Sequence, residues 1–198
     1  TPTSSLLGWI EYLRAQDVDQ MAVEEMEKDL AHLRKIVDRF SKIGSDTPLA
    51  IANVNEIVGD CVIYFRKRIP RNVTLDYNGF TSEIVHAMLN SALFEWVVEN
   101  LMKNALDAMQ GRGEIDVRLS ATESSVMIDV SDTGKGIAKG NWKRIFEPGY
   151  TTKTRGWGLG LSLSRRIVEE YHHGKIVVAK SEVGKGTTFR ITLKRVEE

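Results

Sequence analysis

Two asparagine amides four residues apart, Asn100 and Asn104 in the segment ENLMKNALDA, are the side chains with the clearest chemical use. On a helix that spacing puts both on one face. Lys103 and Asp107, also four apart, lie on a flank close to it. A neutral amide oxygen can ligate Mg²⁺ while phosphates supply most of the charge, which suits a cation that prefers oxygen ligands and retains waters. In isolation the pair reads better as two buried amides bonded to backbone. The stretch from Asp132 to Leu161, DTGKGIAKGNWKRIFEPGYTTKTRGWGLGL, changes that balance. Its thirty residues hold seven glycines: Gly134, Gly136, Gly140, Gly149, Gly156, Gly158 and Gly160. They fall in two knots, DTGKG and GWGLG, around a segment carrying Lys, Arg, Thr and a proline. Glycine takes positive φ and lets backbone approach a ligand closely. Two such knots around a cationic, hydroxyl-bearing loop aim donors at phosphates. One knot would be an ordinary turn of an α+β domain; two knots behind the Asn pair point to a nucleotide held with Mg²⁺.

These groups need a scaffold, and the pattern supplies one. The Asn pair sits on a long helix predicted over 91–109, capped by Asn90 or Ser91. Alternating apolar residues predict strands over 114–119, 126–130, 175–180 and 187–193, with earlier strands over 73–77 and 84–89. Helices are expected over 55–68 and from Leu159 to about His172, so the second knot opens into a helix. This is one mixed sheet covered by helices, its late strands running as hairpins. Residues 45–53, with Gly44, Asp46 and Pro48 as breakers, read as a linker.

Ahead of the linker the first forty-five residues read as a two-helix hairpin. Its second helix carries Val23, Met26, Leu30, Leu33, Val37 and Phe40 at alternating spacings of three and four, a heptad seam widened by Ile36 and Ile43. Two helices cannot bury so wide a stripe. A second copy would, giving a four-helix bundle from a homodimer; the alternative packs the hairpin on the rest of its own chain. The expected architecture is therefore α+β, with the helical hairpin over 1–46 and a sheet domain over 47–198.

Composition excludes several classes. Lys and Arg total 27 and Asp and Glu total 27, a balance without the basic face that a nucleic-acid partner needs. The densest basic run, Arg66, Lys67, Arg68 and Arg71, falls where a helix ends, and cations there are favoured by the helix dipole. Cys61 is the only cysteine, so no intrachain disulfide can form; it lies on an apolar stripe with Ile57, Val58 and Phe65 and reads as a core thiol. No apolar run reaches membrane-spanning length, no signal peptide is visible, and no direct membrane contact is expected of this segment.

NLMKNA, DTGKG, FEP, GWGLGL and GKGTTF occur in the order of the N box, first glycine box, F box, second glycine box and third glycine box of GHKL ATP-binding domains. In that order and over nearly its whole length, the chain resembles the cytoplasmic core of a two-component sensor histidine kinase. TPTSSLLGWIEYL resembles the end of that family's H box, His-Glu-x-x-Thr-Pro. The resemblance implies an α/β-sandwich (Bergerat) ATP-binding domain, ATP and Mg²⁺ as cofactors, and phosphoryl transfer from ATP to a histidine of the dimerisation helix and on to a response-regulator aspartate. It implies that Asp132 accepts from the adenine amino group with a water that Thr187 also holds. Gly134 and Gly136 would let backbone pass under the base beside Ile137. Asn104 would ligate the metal, with Asn100, Lys103 and Asp107 close to the phosphates. Thr151, Thr152, Lys153, Arg155 and Gly156 would form the ATP lid, anchored by Phe146. Gly158, Leu159, Gly160 and Leu161 would open the helix facing the phosphates. Thr1 matches the H-box threonine that can orient water against a phospho-aspartate. The acceptor histidine would lie four residues before Thr1, since His32, His86, His172 and His173 have no H-box context. The expected location is the cytoplasmic part of a membrane-anchored bacterial receptor.

Two look-alikes fail. GKGTT at 184–188 suggests a P-loop, but Ala179 holds the required first glycine position and a strand follows. GWGLGL suggests a dinucleotide fingerprint, but it follows a loop. Hydrolysing relatives such as gyrase keep a water-activating glutamate four residues before the metal asparagine. Here that residue is Asn100, which cannot act as a base, and Glu99 is turned about 100° around the helix. The expectation is ATP held without being cut. A GHKL ATPase or a non-catalytic nucleotide-gated dimer scaffold is the alternative.

Overall fold

The computed structural model describes residues 48–79, 84–153 and 157–197, together with Ile10, Leu13, Arg14, Val23, Met26 and Leu30. By internal contacts the chain divides into two compact units, Thr1–Thr47 and Pro48–Glu198. In the first, the six described residues are helical. Ile10, Val23 and Leu30 are buried in one cluster with Leu13 against it, while Met26 is 49% exposed. The remainder of the expected hairpin, Thr1 included, lies outside the described residues.

The second unit contains seven strands and three helices among its described residues: β1 (Ala50–Asn53), α1 (Val54–Arg66), β2 (Val73–Asn78), β3 (His86–Leu89), α2 (Ser91–Met109), β4 (Gly113–Ala121), β5 (Ser125–Asp132), α3 (Gly160–Arg166), β6 (Lys175–Glu182) and β7 (Gly186–Val196). The sheet runs β1-β3-β7-β5-β4-β2, with β6 also on β7. Only β2 and β4 pair in parallel; the other neighbours are antiparallel, β4–β5 and β6–β7 as hairpins. The alternation in sequence decides which face is covered. Val126, Ile128 and Val130 of β5 face the core with Phe189, Ile191 and Leu193 of β7 and Ile115, Val117 and Leu119 of β4. Against them α2 lays Phe94, Val97, Val98, Leu101, Met102 and Ala105, all buried at helical spacing. Burial of each large apolar side chain is worth about 1.5–3 kcal/mol, so this face fixes the position of α2.

Local signals set the ends. Asn90 caps α2 by accepting from Leu93 N–H at 3.1 Å, and Gln110 closes it in the left-handed region at φ 55°. Asn53 caps α1 in the same way, accepting from Glu56 N–H at 3.1 Å. Cys61 is buried as expected, and burial pushes its thiol up to about 12.

Two expectations are corrected. Residues 50–53 form β1 rather than linker, pairing antiparallel with β3 (Ala50 opposite Leu89). A four-residue strand stabilised by a partner distant in sequence has no periodicity to read. The helix expected from Leu159 to about His172 is α-helical only to Arg166, then widens into a π turn over Ile167–Tyr171. There the Ile167 carbonyl accepts from His172 N–H at 3.1 Å and lies 2.9 Å from His172 Nδ1. His173 follows at φ 51°.

Candidate functional site

Strand alternation carries one polar residue into the core-facing row of β5. After Val126, Ile128 and Val130 the next inward position is Asp132, 8% exposed, and its partner across the ladder is Thr187, 5% exposed. Asp132 Oδ1 accepts from Gly134 N–H at 2.8 Å. Burial pushes the Asp132 carboxyl above the ordinary carboxylate range, against the lowering effect of the Gly134 and Thr187 N–H groups. A buried carboxylate with accepting capacity left is a site for a donor from outside.

The loop after Asp132 is wedged between two backbones. A methyl on Gly134 would stand 2.7 Å from the Ala108 carbonyl oxygen, and one on Gly136, at φ 68°, would collide with that of Glu182. Lys135 N–H donates to the Ala108 carbonyl at 3.1 Å, so the first glycine knot packs on the last turn of α2. Ile137 N–H donates to Ser181 Oγ at 2.8 Å, and Ser181 Oγ lies 2.9 Å from Thr187 Oγ1. Sequence reasoning missed Ser181. Its one signal is register, since it faces Thr187 across the β6–β7 hairpin.

One turn before Ala108 the Asn pair divides its work. Asn104 Oδ1 accepts from Lys153 Nζ at 2.8 Å, and Asp107 Oδ2 from the same nitrogen at 2.5 Å. Asn104 Nδ2 is buried without a partner, alone in that among the described residues. Asn100 instead turns its Nδ2 onto Ser164 Oγ of α3 at 2.9 Å. Lys103 is not brought to the group; its Nζ holds Glu99 Oε2 at 3.2 Å along α2.

The lid segment begins at Phe146, buried and edge-on to Phe189 with ring centroids 6.2 Å apart. Gly149 N–H donates to the Gly158 carbonyl at 3.1 Å, which closes the base of the loop. Gly158, at φ 65°, has no room for a methyl, which would stand 2.6 Å from the Gly149 carbonyl carbon. Thr151 Oγ1 accepts from Lys153 N–H at 3.0 Å, and Thr152 Oγ1 from Lys135 Nζ at 3.0 Å. The second of these ties the lid to the first knot, a role for Lys135 that sequence reasoning did not assign. Leu159 precedes α3, and Gly160 and Leu161 form its first residues, half-buried. Arg155 and Gly156 lie outside the described residues.

The donor set fits Mg²⁺ and a triphosphate. An amide oxygen and a carboxylate already hold a cation, the Lys153 ammonium, and an orphaned amide N–H group stands beside them. A second depression, lined by Asn53, Ile84, His86, Arg195, Val196 and Glu197, lies at the far end of β7. Val196 lies nine residue steps along β7 from Thr187, roughly 30 Å, so that depression has no part in this site.

Residues 90–197 match the family described as histidine kinase-, DNA gyrase B-, and HSP90-like ATPase. Over 200 aligned residues the chain is 48% identical to sporulation kinase E of Bacillus subtilis (strain 168), covering 97% of this chain and 26% of that one. It thus spans about a quarter of that kinase's length. Among solved structures, the catalytic domain of histidine kinase ThkA superposes with a TM-score of 0.63 at 27% identity, covering 74% of this chain and 95% of that one. ThkA in complex with response regulator protein TrrA superposes with a TM-score of 0.72 over 99% of this chain and 58% of that one, at 23% identity, a likeness of fold.

Proposed function

The chain belongs to the histidine kinase-, DNA gyrase B- and HSP90-like ATPase family, and from that premise we propose that it is the dimerising and ATP-binding core of a sensor histidine kinase. It moves the γ-phosphate of ATP to an imidazole on the dimerisation helix, and thence to an aspartate of a response-regulator receiver domain. The observation that carries this reading is the two-ended site beside α2: a buried carboxylate at the end of β5 opposite Thr187, and a cation held on Asn104 and Asp107 of α2.

In this reading Asp132 takes the adenine amino group, with Thr187 and a water beside it, and Gly134, Gly136 and Ile137 form the floor. Asn104 offers Oδ1 to Mg²⁺ and its unpartnered Nδ2–H to a phosphate oxygen, with Asp107 at hand. Mg²⁺, when bound, offsets charge on the phosphates. Thr151, Thr152, Lys153, Arg155 and Gly156 close over the triphosphate on the Phe146 anchor. The amides of Gly158, Leu159, Gly160 and Leu161 face it. Among the described residues no group is poised to activate water, because Asn100 is not basic and is engaged by Ser164, and Glu99 is turned about 100° from it around α2. ATP then waits for a nucleophile presented from outside the domain.

The same reading assigns 1–46 to a dimerising hairpin and 47–198 to the catalytic domain. Met26, half-exposed between buried Val23 and Leu30 on the seam, supports a second copy there. ThkA, crystallised with the response regulator TrrA, supports a receiver domain as partner. Among the described residues no helix is long and apolar enough to cross a membrane, so the cytoplasmic-receptor reading puts an anchor elsewhere in the parent protein.

The test joins a His-Glu-x-x segment ahead of Thr1 and Pro2 and incubates both forms with radiolabelled ATP. The extended form should gain an acid-labile, alkali-stable label that passes to a receiver-domain aspartate. In that form Thr1→Ala should lower phosphatase more than kinase activity. Labelling of the 198-residue chain itself would contradict the assignment of the acceptor.

A further inference from the structure

Ser164 has no exposed surface. A hydroxyl taken from water needs a bond, and its partner is Asn100 Nδ2, 2.9 Å away. One turn earlier on the same face of α3, Gly160 leaves the room that Asn100 requires. A methyl there would stand 2.6 Å from Asn100 Oδ1 and 3.2 Å from Nδ2. The amide is therefore seated against a hydroxyl and a bare Cα, both on α3, and joins α3 to α2 one turn before Asn104. Asn104, in contrast, keeps Nδ2 unpartnered and Oδ1 on a lid cation.

We infer that Ser164 is a positioning residue. Through Asn100 it fixes the distance and rotation between α2 and the turn Gly158–Gly160, and so sets where the triphosphate lies relative to Asn104. Ser164 touches no substrate atom itself, and Asn100 acts as a clamp between helices. This inference rests on the ATP reading above. The adenine end, built from Asp132, Thr187 and the first glycine knot, makes none of these contacts and should not respond to their loss.

Calorimetric titration of the whole chain with Mg–ATP and with adenosine separates the two ends. Binding of Mg–ATP by the unaltered chain comes first, since its absence overturns the ATP reading and this inference together. Ser164→Ala should then lower Mg–ATP affinity about five- to tenfold, the loss of one buried hydrogen bond, and leave adenosine affinity within about twofold. Asn100→Ala should do the same, and the double variant should be no weaker than either single one, because residues acting through one bond are not additive. Ser164→Cys, which keeps the side-chain size but offers only a weak acceptor to Asn100 Nδ2, gives the same selective loss should Ser164→Ala fold poorly. Equal loss of ATP and adenosine, strictly additive losses, or an unchanged Mg–ATP affinity in Ser164→Ala each overturn the inference while leaving the ATP reading standing.

Discussion

The Lys153 ammonium donates to Asn104 Oδ1 at 2.8 Å, so the oxygen proposed to ligate Mg²⁺ already carries a cation supplied by the lid. The same nitrogen lies 2.5 Å from Asp107 Oδ2, with 40% and 54% of the two side chains exposed. An exposed pair of this kind is worth on the order of 0–1 kcal/mol, weak enough for Mg²⁺–ATP to displace. The lysine can then turn to the phosphates, where a charge-assisted bond is stronger.

Lys153→Met should therefore lower affinity for Mg–ATP by about tenfold, the size of a charge-assisted hydrogen bond, and leave adenosine binding unchanged. Calorimetry with both ligands measures this. An equal loss for both would mean that the lysine holds the fold of the lid and not the phosphates.

Asp132 and Asn104 should separate in the same assay. Asp132→Asn should weaken adenosine and ATP alike, about tenfold, because an amide presents a donor where the adenine amino group needs an acceptor. Asn104→Asp should spare adenosine and alter the Mg²⁺ dependence of ATP binding. Equal loss of adenosine affinity in the two variants would contradict the division of the site.

Much of this was legible from residue spacing. The extent of α2 and the strand ladder follow from periodicity and caps, and the alternation Val126, Ile128, Val130 carries Asp132 inward by register alone. The Asn pair was legible as a pair, but its division of labour was not. Which amide meets Ser164 and which meets Lys153 depends on how α2 crosses α3 and where the lid folds, and helical spacing contains neither. Nor did the glycines reveal that Gly134 and Gly136 make room for Ala108 and Glu182, parts of the protein itself. Strand β1 was missed because its partner is β3, and the π turn because the bonds that stabilise it come from His172.

His172 should make stability depend on pH. Its Nε2 accepts from Asn90 N–H at 3.0 Å while Nδ1 faces the Ile167 carbonyl at 2.9 Å, a pair of bonds that only the neutral Nδ1–H ring can make. Burial first, and nearby His173 to a lesser degree, lower its pKa below 6.5. The unfolded chain then binds the proton more tightly, so the contribution is complete above pH 6.5 and is lost as pH falls through the lower folded value. Urea unfolding of the unaltered chain and of His172→Gln, from about pH 8 to about pH 5, should show a stability difference that shrinks toward acid. A difference independent of pH would rule out His172 as the titrating group.

The hairpin seam gives a separate prediction. If the proposed dimer buries the heptad seam, Leu33→Asp would put a charge there at a cost of several kcal/mol, and should convert the dimer to monomer. Light scattering of both proteins measures it. An unaltered chain that stays monomeric at high concentration would remove the dimer.

The central claim is that this site binds ATP and does not cut it, and the most direct test follows binding heat and phosphate release in one Mg–ATP titration. Binding should saturate at one nucleotide per chain. Phosphate release should run at least about a thousandfold below an ordinary enzyme turnover of ~10 s⁻¹, since Asn100 is no base and is engaged by Ser164, and Glu99 is turned about 100° from it around α2. Turnover near ~10 s⁻¹, or no binding at all, would contradict it.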